Sequence, residues 1–123
     1  MAKILIVEDD FMMLKTIEHR LKGDGHQVVL AKDGQEASKL ISQDSGTFEL
    51  IITDMLMPYV SGLELIGLVR EQYRLETPII VLSKVGNEDT VLQAFDLGAD
   101  DYLTKPFSPN ELSIRVKKTL PRK

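Results

Sequence analysis

Residues 3–10 read KILIVEDD: four apolar residues, Ile4 to Val7, run straight into the acids Glu8, Asp9 and Asp10. A short apolar run without alternation is what a strand buried on both faces requires, and such strands belong to parallel sheets covered by helices. Working outward, Phe48–Thr53 and Ile79–Leu82 have the same nearly all-apolar character, and Gln27–Ala31 and Asp101–Thr104 complete a set of strand candidates. Between them lie segments of helical spacing. Leu14, Ile17 and Leu21 share one face of the first, and Ala37, Leu40 and Ile41 one face of the second. Leu63, Ile66 and Val69–Arg70 keep the same rhythm, as do Val91 and Phe95, and later Leu112, Val116 and Leu120.

Helix-start chemistry supports this division. Ser61 with Glu64, Ser108 with Glu111 and Asp33 with Glu36 each have capping-box spacing. Pro109 falls at a first helical position, where its missing N–H is harmless. Gly25 and Gly98 are placed to stop the first and fourth helices in the left-handed conformation. Repeated β–α alternation therefore predicts a mostly parallel sheet with helices on both faces. The 123 residues, with no internal linker, fit one domain spanning 1–123.

Composition narrows the function. There are no cysteines, which excludes disulfides, thiolate metal sites and cysteine nucleophiles. The net charge of −4 argues against an extended nucleic-acid surface. Apolar runs fall far short of the ~20 residues that cross a bilayer, and no signal peptide is visible. The reading is a soluble, cytoplasmic protein without direct nucleic-acid or membrane contact.

In an open parallel sheet, functional groups gather beyond the carboxyl ends of the strands, where strand order reverses. Strand one ends in Glu8 and Asp9, strand three in Asp54, strand four in Ser83 and strand five in Lys105. For the strand order 2-1-3-4-5, strands one and four flank strand three, and strand five lies about 10 Å from Asp54, within reach of much of a lysine side chain. Three clustered carboxylates repel one another unless a hard divalent cation joins them, and Mg²⁺ suits a site of few oxygen ligands. Asp54, the central acid, is the best nucleophile for an acyl phosphate. Phosphoryl transfer then asks for neutralised oxygens, which Mg²⁺, the Lys105 ammonium and the Ser83 hydroxyl can each provide.

The segments ILIVEDD, IITDMLMP, VLSK and YLTKPF, in this order, resemble response-regulator receiver domains along the whole chain. The resemblance implies a flavodoxin-like (βα)5 three-layer sandwich of order 2-1-3-4-5. It implies that Asp54 accepts a phosphoryl group from a sensor histidine kinase or phosphotransfer protein. Asp9, Asp54 and the backbone carbonyl of Leu56 would ligate Mg²⁺, with Mn²⁺ as a substitute, and Glu8 would act through a bound water. Ser83 and Lys105 match the phosphate-sensing hydroxyl and lysine. Tyr102 matches an aromatic that swings inward when the hydroxyl moves. Pro106 follows the lysine where the family often has a cis peptide. The outlet would be the surface of the fourth helix, fifth strand and fifth helix, meeting an output domain, a partner protein or a second copy.

Two departures stand out. Lys84 follows the hydroxyl where the family commonly has a small residue. Leu56 and Val85, at positions that influence hydrolysis, are apolar and cannot orient water, which predicts slow autodephosphorylation.

Taken singly, each feature has a plain structural reading. Acids before a helix serve its dipole, and Asp10 is read as a cap. Asp54 before Pro58 is also a turn opener, Ser83 a helix cap, Lys105 a solvated cation and Tyr102 a half-buried aromatic. Met55, Leu56 and Met57 read as packing, and His19 and His26 lie away from the cluster.

Three other functions compete. A phosphatase with an aspartyl-phosphate intermediate would want an acid at Leu56. A nucleotide or flavin binder would want glycine or hydroxyls at Glu8 and Asp9. A receiver-like interaction module that has stopped switching would keep the fold.

Overall fold

The computed structural model describes residues 2–44, 47–57, 60–84, 86 and 88–121. Five strands, β1 Lys3–Val7, β2 Gln27–Ala31, β3 Leu50–Asp54, β4 Ile79–Lys84 and β5 Asp101–Lys105, form one parallel sheet in the order β2-β1-β3-β4-β5. Helices α1 Phe11–Gly23, α2 Gly34–Gln43, α3 Gly62–Gly67, α4 Glu88–Leu97 and α5 Pro109–Thr119 connect and follow them. This is the expected flavodoxin-like sandwich.

Side chains alternate across the sheet, so its apolar strands feed two cores. On one face Leu5, Val7, Ile51 and Val81 pack with Ala37 and Ile41 of α2, Leu65 and Ile66 of α3 and Ala94 of α4. On the other, Ile4, Ile6, Ile52, Leu82 and Leu103 pack with Leu14, Ile17 and Leu21 of α1 and Leu112 and Val116 of α5. Each fully buried aliphatic side chain contributes about 1.5–3 kcal/mol of transfer free energy. This double burial is why β1, β3 and β4 read as uninterrupted apolar runs.

The N-cap side chains bond as the spacing predicts, but only one of the three pairs forms a complete capping box. Ser61 accepts from Glu64 N at 3.1 Å while Glu64 accepts from Ser61 N at 3.3 Å, a complete capping box. Asp33 accepts from Glu36 N at 2.8 Å, but Glu36 returns its bond to Lys32 N, one residue earlier. Ser108 accepts from Glu111 N, with Pro109 in the first turn. Gly25 and Gly98 adopt φ of +94° and +119° after α1 and α4.

Three expectations needed correction. β3 starts at Leu50 rather than Phe48 and runs through Asp54, which pairs with Leu82. Phe48 is buried, but ahead of the strand. Phe95 is 38% exposed, because the buried face of α4 is Val91 and Ala94. α3 gives way at Leu68–Gln72 to a π-helical turn, in which Tyr73 N bonds Leu68 O at 2.8 Å. The expectations that fell on Pro58, Val85 and Lys123 lie outside the described residues.

Candidate functional site

The carboxyl ends of β1, β3 and β5 converge on one acidic cavity of about 240 Å³, lined by Glu8, Asp9, Asp10, Asp54, Met55, Leu56, Lys84 and Lys105. Glu8 continues the extended path of β1, its N–H bonding Ala31 O at 3.1 Å, and its side chain is fully buried. Asp9 is exposed at the rim. Glu8, Asp9 and Asp54 each place a carboxylate oxygen within 4.8 Å of the others. Asp10 instead caps α1, accepting from Met13 N at 3.1 Å.

Lys105 is the cation of this cluster. Its ammonium donates to Glu8 Oε1 at 2.6 Å and lies 3.2 Å from Asp54 Oδ2. Asp54 Oδ1 accepts from Met55 N at 2.8 Å. The peptide between Lys105 and Pro106 is cis, as the resemblance implied. Burial, first, and then contact with Asp54 push the Glu8 carboxyl up to about 7, against the opposing pull of Lys105. Burial alone would lower the Lys105 ammonium, but its bond to Glu8 and the charges of Asp54 and Glu8 hold it above its ordinary value. An all-oxygen donor set with one buried and one exposed acid beside Asp54 fits a hard divalent cation.

Ser83 is not in this cavity. It is buried, and it alternates away from Leu82 and Lys84 to the α4 side of the sheet. There it lines a second cavity of about 310 Å³ together with Val91, Leu92, Phe95, Tyr102 and Thr104. Tyr102, 39% exposed, meets Phe95 edge to face at a centroid distance of 6.0 Å. The structure thus brings Glu8, Asp9, Asp54 and Lys105 together and sets Ser83 with Tyr102 in the adjoining space. Lys84 lines both cavities.

Two supporting residues went unread in the sequence. Gly62 begins α3 against the phosphoacceptor candidate: a Cβ there would press on the Asp54 carbonyl and lie 2.8 Å from the Met55 Cα. Arg70, in the π-helical turn, donates to Gly98 O, Leu75 O and Thr77 O and pairs with Asp100 at 3.1 Å. It ties α3 to the end of α4. Neither has a local sequence signature, since what each meets comes from distant chain or from backbone.

The response regulator receiver domain family model matches residues 4–117. The chain is 38% identical over 120 residues to the alkaline phosphatase synthesis transcriptional regulatory protein PhoP of Bacillus subtilis (strain 168), covering 98% of this chain and 49% of that protein. Among solved structures, a response regulator receiver domain protein from Clostridium thermocellum superposes with a TM-score of 0.90 at 29% identity, covering 97% of this chain and 94% of that one. The receiver domain of the Francisella response regulator 1452 gives 0.87 at 35% identity, with coverages of 97% and 96%. The chain belongs to the response regulator receiver domain family of two-component signalling, in which phosphorylation falls on an aspartate. It spans about half the length of the curated relatives it matches.

Proposed function

We propose that residues 1–123 form one receiver domain in which Asp54 is the phosphoacceptor of a Mg²⁺-dependent phosphorelay. The observation that carries this reading is the meeting of Lys105 with Glu8 and Asp54 beside Asp9. Glu8, Asp9, Asp54 and the Leu56 carbonyl would hold the metal, with Mn²⁺ as a substitute; bound there, it would neutralise charge on the transferring phosphoryl group.

The chain's own groups do the rest. An Asp54 carboxylate oxygen attacks phosphorus in line, and the bond from phosphorus to the donor's imidazole nitrogen breaks, leaving the electron pair on that nitrogen. The donor is the phosphohistidine of a sensor kinase or a phosphotransfer protein. The Met55 N–H, 2.8 Å from Oδ1, orients the carboxylate, and the Lys105 ammonium neutralises a phosphoryl oxygen. Ser83 is then drawn from the neighbouring cavity toward the phosphoryl group, Tyr102 follows into the vacated space, and the α4-β5-α5 surface changes its preferred conformation. That surface serves an output domain, a partner protein or a second copy of the domain. The chain acts as a cytoplasmic switch rather than a turnover enzyme. Among the described residues no helix is long and apolar enough to cross a membrane.

The test is incubation with Mg²⁺ and acetyl phosphate followed by intact-mass measurement. One added phosphoryl group, lost in Asp54→Asn, supports the reading. No gain in the wild-type chain returns the domain to a passive interaction module.

A further inference from the structure

We propose that Lys84 is a second phosphate-binding cation of this site, one that draws anionic phosphodonors to Asp54 and offsets charge on the acyl phosphate. The inference rests on Asp54 being the acceptor. Three observations carry it.

The first is register. Lys84 is the Cα partner of Lys105 across the parallel β4–β5 pair, and Leu82, two residues earlier on the same side of β4, is the partner of Asp54. Side chains in register on neighbouring strands share a face and stand ~4.8 Å apart, so Lys84 rises next to Lys105, two residues beyond the partner of Asp54 and on the same face of the sheet. The second is place. Lys84 lines the acidic cavity with Glu8, Asp9 and Asp54. The third is availability. Lys105 is committed to Glu8 and Asp54, whereas Lys84 is exposed and makes no ion pair or side-chain hydrogen bond among the described residues.

Charge balance gives this free cation a task. With a divalent cation bound and Glu8 ionised by it, Glu8, Asp9 and a dianionic acyl phosphate would carry roughly four negative charges. A divalent cation and Lys105 supply one fewer positive charge than that. The Lys84 ammonium closes the difference. Its long stem lets it meet an incoming donor at the mouth of the cavity and stay with the group after transfer.

The experiment compares initial phosphorylation rates of the full chain by intact mass, at saturating Mg²⁺, with acetyl phosphate and with the less negatively charged phosphoramidate. Wild type, Lys84→Ala and Lys84→Arg are each measured at low and high salt. Lys84→Ala is expected to slow phosphorylation by acetyl phosphate about threefold at low salt, in the range of a partly solvated charge pair, with a smaller effect for phosphoramidate. Lys84→Arg should restore the rate, and high salt should erase the difference. Equal rates for wild type and Lys84→Ala with acetyl phosphate overturn the proposal. So does a loss that persists in high salt and that arginine does not rescue, which would mark a packing role. If the wild-type chain takes no phosphoryl group from either donor, the acceptor reading fails first and this inference with it.

Discussion

Lys105 and Glu8, separated by 97 residues in sequence, meet through a 2.6 Å hydrogen bond beside the carboxylate of Asp54. Glu8 is fully buried, so its protonation state is coupled to folding as well as to the site. Its folded pKa, raised from 4.5 to about 7, means that the folded chain keeps a proton the unfolded chain has lost. The associated stability is present below about pH 4.5 and is lost as pH rises through 7, and is on the order of 3 kcal/mol. Metal-free protein should therefore show a Glu8-dependent fall in denaturation midpoint between pH 5 and 8. Glu8→Gln should flatten that slope, measured by urea melts in chelator; an unchanged slope counts against it.

Leu56 stands 61% exposed at the mouth of the acidic cavity, with no polar atom in its side chain to hold an attacking water. Leu56→Asn should shorten the lifetime of the phosphorylated chain several-fold. The decay of the phosphorylated mass after donor removal reads this directly, and equal lifetimes would count against water access as the limit.

Ser83 and Tyr102 share the second cavity, apart from the acids. Ser83→Ala should therefore still be phosphorylated on Asp54 but should not alter the environment of Tyr102. Tyrosine fluorescence before and after phosphorylation checks this, since the chain has no tryptophan. A full spectral change in Ser83→Ala would remove the hydroxyl from the relay.

Arg70 satisfies three main-chain carbonyls and the Asp100 carboxylate from one guanidinium. Arg70→Ala should destabilise the domain by about 1–3 kcal/mol, because partly buried carbonyls lose a shared donor. Arg70→Lys should recover only part of this, since an ammonium cannot span the same fork. Denaturant midpoints measure both.

The sheet was legible because double burial leaves a plain mark: Ile4 to Val7 and Ile79 to Leu82 have nothing polar to show. The acids of the site were legible because each closes such a run. What remained hidden depended on direction rather than composition. Phe48 reads as strand because apolarity signals burial, whether or not the backbone pairs. Phe95 reads as core at helical spacing, yet the smaller Ala94 takes the inner position. The π-helical turn needs only a shifted hydrogen bond, which no residue type announces. Ser83 ends its strand as the acids end theirs, but alternation with Ile80 and Leu82 turns it, like Val81, to the α4 side of the sheet, a direction its position at a strand end does not reveal.

That alternation has a consequence for how such a chain can change. Ser83 and Lys84 are bonded neighbours, yet only Lys84 reaches the acidic cavity, while Ser83 lines only the aromatic chamber. Their assignment follows from the register that β4 keeps with β3 and β5. Deleting one residue from within β4 would exchange the two, handing the amine to the chamber and the hydroxyl to the acids, while the strand could still hydrogen-bond to both neighbours. Substitution can tune this domain, but an insertion or deletion inside β4 rewires it.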